Sequence, residues 1–370
     1  MEIKITGDYL GATGYASHTR NLAQALKKEG VDIKVETNLI PGWENMVSAE
    51  DLELFKLDGE ERTEIMISTP PSWETRMYQG HNFIGVGVFE GDTVPLQWKR
   101  IAESDSIKQL WVPSNHVKDA FINTGLDGKK IKIVPHGVDT ELFNKDVVAK
   151  PDLKTVKNEG SFVFLFVGGW AQGENDRKNL PLLLRAYTEE FGKDEKVQLI
   201  VKINPVYNRP QWRPDEEIEK LNLKNKWSRA SFSVVSAILP YERLPEVYSL
   251  ADCQVQPTRG EGFCLPILEG MSCGVPCIAT AFGGQEDFMN DNNGWLLKDF
   301  ELKQACEPNL LYEGINWAEL DQKALQKAMR YAFEHQDEVR TKGKQAAKDA
   351  NEWTWQNSAK KAIEYLKEVK

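Results

Sequence analysis

Two carboxylates, Glu261 and Glu269, bracket the stretch EGFCLPILE, which is otherwise apolar apart from one glycine and one proline. Pro266 suits the first turn of a helix, because the N–H it lacks would have no partner there anyway. Glu261, Gly262, Phe263, Cys264 and Leu265 then form the approach to a helix start. Unpaired amides and the positive end of the helix dipole make such a start attractive to anions, phosphate above all. Glu269 lies about one turn inside. Helical side chains lean toward the N-terminus, so its carboxylate reaches the same mouth. A carboxylate there suits a sugar diol, accepting two O–H hydrogen bonds. Glu261 stands on the other side of the amides, where a second polyol fits. Spacing alone is also compatible with a surface acid at Glu269.

The elements that must position these groups alternate between strand and helix. EIKIT, VDIKVE, TEIMIST, HNFIGVGVFE, QLWVPS and KIKIVPHGV are strand candidates in the first half, and YASHTRNLAQALKKEG carries Leu22, Ala25 and Leu26 at helical spacing. PDLKTVKNEG, residues 151–160, interrupts the pattern and reads as a linker. SFVFLFVGG follows, a continuous apolar run fit for a central parallel strand. A second series then runs NLPLLLRAYTEEFG (helix), VQLIVKI and SFSVVSAI (strands), LPEVYSLAD (helix), CQVQPT (strand), LPILEGMSCG (helix) and PCIATAF (strand). From about Asp321 the tail is helical in pattern. Two such series predict an α/β chain of two doubly wound Rossmann-like domains, 1–150 and 151–350, with residues 351–370 as a closing helix.

The composition sets outer limits. In 370 residues, 46 basic and 56 acidic side chains give a net charge of −10, which argues against binding nucleic acid through a global positive field. No run of eighteen uncharged apolar residues occurs, so no membrane span is expected. The N-terminus lacks the zones of a signal peptide, so the expected location is the cytoplasm, with a peripheral position at a membrane left open. Cys253, Cys264, Cys273 and Cys277 lie close together in sequence, but their spacings do not form paired C-x-x-C knuckles, and buried thiols are expected rather than a metal site.

The block ADCQVQPTRGEGFCLPILEGMSCGVPCIATAFGGQEDF resembles the E-x7-E signature region of retaining glycosyltransferases of the GT-B fold, of the large family 4 type. RKNLPLLLRAY resembles that family's lysine-containing helix start, KIVPHGVDTELF its N-G-V-D turn, and GATGYASHTRNLAQAL its glycine-rich opening. The resemblance implies a GT-B architecture: two Rossmann-like domains with a cleft between them and a C-terminal helix returning to the N-domain. It implies a hexosyl- or pentosyltransferase that moves sugar from a UDP- or GDP-sugar to an acceptor hydroxyl with retention of anomeric configuration. Carried over by position, Glu269 would bind the nucleotide ribose. The amides of Cys264 and Leu265 would meet the diphosphate, with Gly262 and Phe263 shaping the turn. Glu261 would hold the transferred sugar and Lys178 the diphosphate. Gly11 and Gly14 would bring amides to the phosphate from the other domain. No D-x-D motif occurs, so the resemblance implies a metal-independent reaction with no cofactor beyond the donor substrate.

The chain also departs from the family pattern. The usual VGR reads VGGW, followed by the insertion AQGEND, and Arg177 is the candidate to replace the missing arginine. EGFG reads EGFC, and Cys264 suits that turn only where no positive φ is needed. After the strand where relatives often carry a histidine stands GVFEGD. Glu90 is its candidate acid, with Asp92 a second choice, and Phe89 takes the histidine's place. His18 could approach the donor or cap a packed face, whereas His136 is expected to be structural.

Dehydrogenase and P-loop readings lack G-x-G-x-x-G and G-x-x-x-x-G-K-[ST]. A sugar-nucleotide-binding protein with impaired catalysis is the alternative that the departures allow. The acceptor is not legible: a glycan, a lipid-linked sugar, a small molecule and modified nucleic acid all fit. Trp43, Trp73, Arg76, Trp98, Lys99 and Arg100 are candidates for its surface, or scattered packing aromatics and their neighbours.

Overall fold

A computed structural model of the chain describes residues 1–11, 13–37, 53–54, 63–79, 82–170, 173–203, 214–221, 223, 231–306 and 310–369. The chain forms two compact units, one of Met1–Gly137 with Trp353–Lys370 and the other of Val138–Glu352.

In the first unit, β1 (Glu2–Gly7), β2 (Asp32–Glu36), β3 (Thr63–Ile67), β4 (Asn82–Val86), β5 (Ile107–Val112) and β6 (Ile131–Ile133) form a parallel sheet in the order β2-β1-β3-β4-β5-β6. Helix α1 (Gly14–Lys28) starts where the Thr13 hydroxyl accepts the Ala16 amide. It buries Leu22, Ala23, Ala25 and Leu26 and ends in Lys27 and Lys28, cations suited to the negative end of the dipole. Two further helices are α2 (Leu96–Ala102) and α3 (Asn115–Asn123).

In the second unit, β7 (Phe162–Gly168), β8 (Val197–Ile203), β9 (Phe232–Val235), β10 (Cys253–Gln256), β11 (Cys277–Thr280) and β12 (Gly294–Leu297) form a second parallel sheet, ordered β12-β11-β10-β7-β8-β9. Its helices include α4 (Leu180–Glu190), α5 (Leu244–Tyr248), α6 (Leu265–Ser272), α7 (Gln322–Glu334) and α8 (Gln336–Ala350). On one face of the sheet, Phe162, Phe164, Phe166, Val197, Leu199, Val201, Ile203, Cys253 and Val255 share a core with Leu183 and Leu184 of α4 and with Leu325 and Met329 of α7. Strand side chains alternate, so Val167, Lys202, Gln254 and Gln256 belong to the opposite face. Helix α6 covers that face, for Gln254 Nε2 donates to the Pro266 carbonyl at 3.1 Å.

The closing helix α9 (Trp355–Leu366) packs on α1 in the first unit, as expected. Gln109 Nε2 donates to the Tyr365 carbonyl at 3.0 Å, and Lys132 pairs with Glu368 at 2.6 Å.

Three expectations need revision. The boundary falls at Gly137–Val138 rather than at 150–151, because Phe143 packs edge-on against Tyr241 and Tyr248 and its carbonyl accepts the Ser272 hydroxyl. Residues 151–160 are not a plain linker, since Pro151–Lys154 forms a helical turn that buries Leu153. An antiparallel pair, β13 (Phe300–Gln304) with β14 (Asn316–Leu320), also stands where no strand is expected.

Candidate functional site

The expected helix start is present. Cys264 caps α6 and Pro266 lies in its first turn. The Ile267 amide turns back to the Cys264 carbonyl at 3.1 Å, while the Cys264 and Leu265 amides find no acceptor among the described residues. Cys264 sits at φ 73°, in the left-handed region, so the turn does need the positive φ that a glycine would give freely. The loop before it is held by two glycines of the AFGGQEDF segment. The Gly284 amide donates to the Glu261 carbonyl at 2.8 Å, and a Cβ on Gly284 would lie 2.3 Å from the Gly262 carbonyl oxygen.

Glu261 is buried, and its two oxygens are taken by two cations. Lys178 Nζ donates to Oε1 at 2.6 Å and Arg177 Nη1 to Oε2 at 3.2 Å; Arg177 also donates to the Gly260 carbonyl at 2.6 Å. Burial pushes the Glu261 carboxyl up, but the charges and hydrogen bonds of Lys178 and Arg177 outweigh it and hold the group below the usual carboxylate range. Arg177 thus stands in the same cluster as Lys178, approaching from the loop after the VGGW strand.

Glu269, one turn into α6, is 7% exposed and accepts the Tyr248 hydroxyl at 2.6 Å. Burial raises its carboxyl to about 7, with the Tyr248 hydrogen bond opposing the shift. A carboxylate poised there keeps lone pairs for further O–H donors.

A further layer fixes these groups. Arg259 Nη1 donates to the Asp176 carbonyl at 2.6 Å, and its Nε and Nη2 form a two-pronged pair with Glu319 of β14 at 2.7 and 3.0 Å. The Arg259 amide donates to the Arg177 carbonyl at 2.8 Å, and Asp176 Oδ1 accepts the Lys178 amide at 2.9 Å. Asn179, the second non-glycine at positive φ among the described residues, caps α4 beside Lys178. Sequence reasoning singled out neither Tyr248 nor Arg259. Tyr248 lies in a segment that reads only as a helix, and the partner of Arg259 is 60 residues away on an unexpected strand.

The remaining candidates belong to the first unit. Gly11 follows β1, with its amide donating to Asp8 Oδ1 at 3.2 Å, and Gly14 opens α1. Glu90 lies beyond β4, half-buried, and the Tyr15 hydroxyl of α1 donates to the Val88 carbonyl at 3.4 Å, so both loops share one end of that sheet. Phe89 is core, edge-on to Trp98 at 5.0 Å. His18 is buried at 4.0 Å, centroid to centroid, from His136, and Trp355 stacks on both, so His18 belongs to a packed face. Trp73 and Trp98 are buried, Arg76 pairs with Glu36 and Lys99 with Glu103, Arg100 is exposed, and Trp43 lies outside the described residues. Cys253, Cys264, Cys273 and Cys277 are buried free thiols, and no cluster able to hold a metal occurs among the described residues. No described helix is long and apolar enough to cross a membrane.

Two parallel six-stranded Rossmann-like units, the second with a helix start flanked by Glu261 and Glu269, define the GT-B class. Residues 152–335 match the model of the glycosyl transferases group 1 family, and through them the chain belongs to that family. The chain is 26% identical over 258 residues to a D-inositol 3-phosphate glycosyltransferase of Acidothermus cellulolyticus, covering 66% of this chain and 55% of the relative. It is 23% identical over 266 residues to a lipopolysaccharide 1,2-N-acetylglucosaminetransferase of Salmonella typhimurium, covering 71% and 63%. The chain thus spans less than two thirds of these curated relatives. Among solved structures, sucrose-phosphate synthase from Thermosynechococcus elongatus superposes with a TM-score of 0.71 at 18% identity, covering 100% of this chain and 99% of that one. HepE of Anabaena, in complex with UDP-glucose, superposes with a TM-score of 0.67 at 15% identity over the whole of both chains.

Proposed function

We propose that this protein transfers a hexosyl or pentosyl group from a nucleoside-diphosphate sugar, such as a UDP- or GDP-sugar, to an acceptor hydroxyl, with retention of anomeric configuration and without a metal. The observation that carries the reading is the arrangement around Glu261: a buried carboxylate held by Lys178 and Arg177 beside two orphan amides at a helix start. The likeness to HepE, whose structure is described as a complex with UDP-glucose, supports a donor of that kind.

In this reading the diphosphate lies at the start of α6, where the Cys264 and Leu265 amides and the Lys178 and Arg177 cations meet its charge. Glu269 accepts the ribose hydroxyls and Glu261 those of the transferred sugar. Breaking the sugar–phosphate bond leaves an oxocarbenium-like sugar and adds negative charge to the departing diphosphate. Fixed donors that already point at that charge stabilise it without reorganising. The departing phosphate oxygen takes the acceptor proton, so no dedicated protein base is needed. Glu261 and Glu269 therefore differ in role from the close nucleophile and acid pair of retaining hydrolases.

Gly11, Gly14 and Glu90 of the first unit stay as proposed contacts to phosphate and sugar hydroxyls. The test is a panel of nucleotide sugars scored by mass spectrometry for release of nucleoside diphosphate, with and without added glycan, lipid-linked and small-molecule acceptors. Turnover of at least one donor is expected, and tight donor binding without release under every acceptor condition would overturn the reading.

A further inference from the structure

Lys202 is a cation in an unusual place. It stands on β8, is 4% exposed, and its ammonium donates to the Ile203 carbonyl at 3.1 Å. No other acceptor and no carboxylate engages it among the described residues. Its neighbours across the sheet are Val167 on β7 and Val235 on β9. A lone buried ammonium is costly, and proteins retain one only with a partner or a use for it. Burial lowers its pKa to about 8, and no neighbouring charge contributes to the shift.

Its position gives it a use. Val201 and Ile203 face the shared core, so Lys202 faces the opposite side of the sheet, near the carboxyl ends of its strands. In an open parallel sheet, ligands bind outside those ends. Gln256 is on the same face. Its amide N–H donates to the Val167 carbonyl at 2.7 Å, and its buried Oε1 has no partner among the described residues. Helices α5 and α6 cover this face, and they carry Tyr248 and Glu269. Lys178 reaches the end of β7 from the other face, its Cγ 3.7 Å from where a Cβ on Gly168 would stand. A nucleotide with its diphosphate by Lys178 and its ribose on Glu269 would cross the strand ends toward the face of Lys202. The part of it beyond the ribose is the base.

We propose that Lys202 selects the donor's base, its ammonium donating to a base carbonyl oxygen at the position where adenine and cytosine present an amino group. This rests on the donor-site reading above. An ammonium has three N–H donors and no acceptor, so it pairs with the carbonyl of uracil or guanine and meets an amino group with an unpaired donor of like polarity.

The test is calorimetric titration of the full chain and of Lys202→Met with UDP, GDP, ADP and CDP. Wild type should bind UDP or GDP at least about tenfold more tightly than ADP and CDP, the scale of one hydrogen bond to a charged group. In Lys202→Met that gap should close to within about threefold through loss on the UDP or GDP side. The unliganded variant should melt no lower than wild type, because an uncompensated buried charge has gone. Lys202→Gln, whose amide can present either its N–H or its oxygen, should relax the preference likewise and serves if the methionine variant does not fold. Preference for ADP or CDP in wild type, or an unchanged gap in a folded variant, overturns the proposal. Binding of none of the four contradicts the donor-site reading itself, and this one with it.

Discussion

Lys178 carries the largest single expectation at the scale of one residue. In the proposed function it meets the charge that develops on the departing diphosphate, so Lys178→Ala should lower kcat by about 10²–10³, as loss of one such donor does. Steady-state kinetics with the best donor checks this, and near-normal turnover would remove Lys178 from the site. In the proposed function Glu269 holds the ribose, a part of the donor that does not react, so Glu269→Ala should chiefly raise the donor KM. Its folded pKa of about 7 lies above the ordinary carboxylate value. The ionised form, the better acceptor for ribose hydroxyls, therefore fills in as pH rises from 6 to 8, and donor affinity should rise with it. Tyr248→Phe removes the hydrogen bond that opposes this shift and should move the profile to higher pH; an unmoved profile contradicts the assignment. At Cys264 the left-handed backbone favours glycine. Cys264→Val should unfold in denaturant about 1–2 kcal/mol more easily than Cys264→Gly, since a β-branched residue tolerates that φ worst. Glu261, Glu269, Lys178 and the helix start were legible because they fall in one short block or on a helix start. Tyr248 and Arg259 were not, because their roles arise from partners distant in sequence. The positive φ at Cys264 is a property of the turn, and the cysteine itself gave no sign of it.

Among elements, the junction of α1, α9 and the loop after β6 makes a pH prediction. It buries His18 and His136 against Trp355. Burial lowers the His18 pKa to about 3, and burial together with the neighbouring His18 lowers His136 well below its ordinary value. Both groups bind protons more readily in the unfolded chain, so stability is full above about 6.5 and falls as pH drops from there toward 3. Each histidine contributes a slope of up to about 1.4 kcal/mol per pH unit in that window. Denaturant unfolding at pH 7, 6 and 5 should show the slope, and His18→Asn should flatten it; equal slopes would mean that the rings are solvated. The strand VQLIVKI was legible, and its seven residues are all buried, whereas α2, α3 and β12 were not picked out, although α2 buries Trp98 and Ile101 and α3 buries Val117 and Phe121. The β13–β14 pair was not, because four of the five β13 side chains are exposed and their sequence has no core to report. Yet β14 supplies Glu319, which anchors Arg259 and so the loop that carries Lys178.

At the scale of the whole chain, two doubly wound series predicted two units, and both sheets follow. The boundary was misread because Phe143 looks like any aromatic in a connecting segment until Tyr241 and Tyr248 are seen packed edge-on against it. Val138–Glu352 is one continuous stretch with its own core, whereas the first unit needs Trp353–Lys370 from the far end of the chain. Truncation before Trp353 should therefore destabilise the first unit, losing the Gln109–Tyr365 and Lys132–Glu368 contacts, while nucleotide binding by the second unit survives within about threefold. Proteolysis of the truncated chain with and without UDP distinguishes the two units. The central claim is that the start of α6 grips a diphosphate while Glu269 holds the adjoining ribose. A crystal structure of the chain with bound UDP or GDP tests it most directly. The account predicts phosphate oxygens within about 3 Å of the Cys264 and Leu265 amides and a ribose hydroxyl on Glu269. A diphosphate bound elsewhere, with those amides facing solvent, would contradict it.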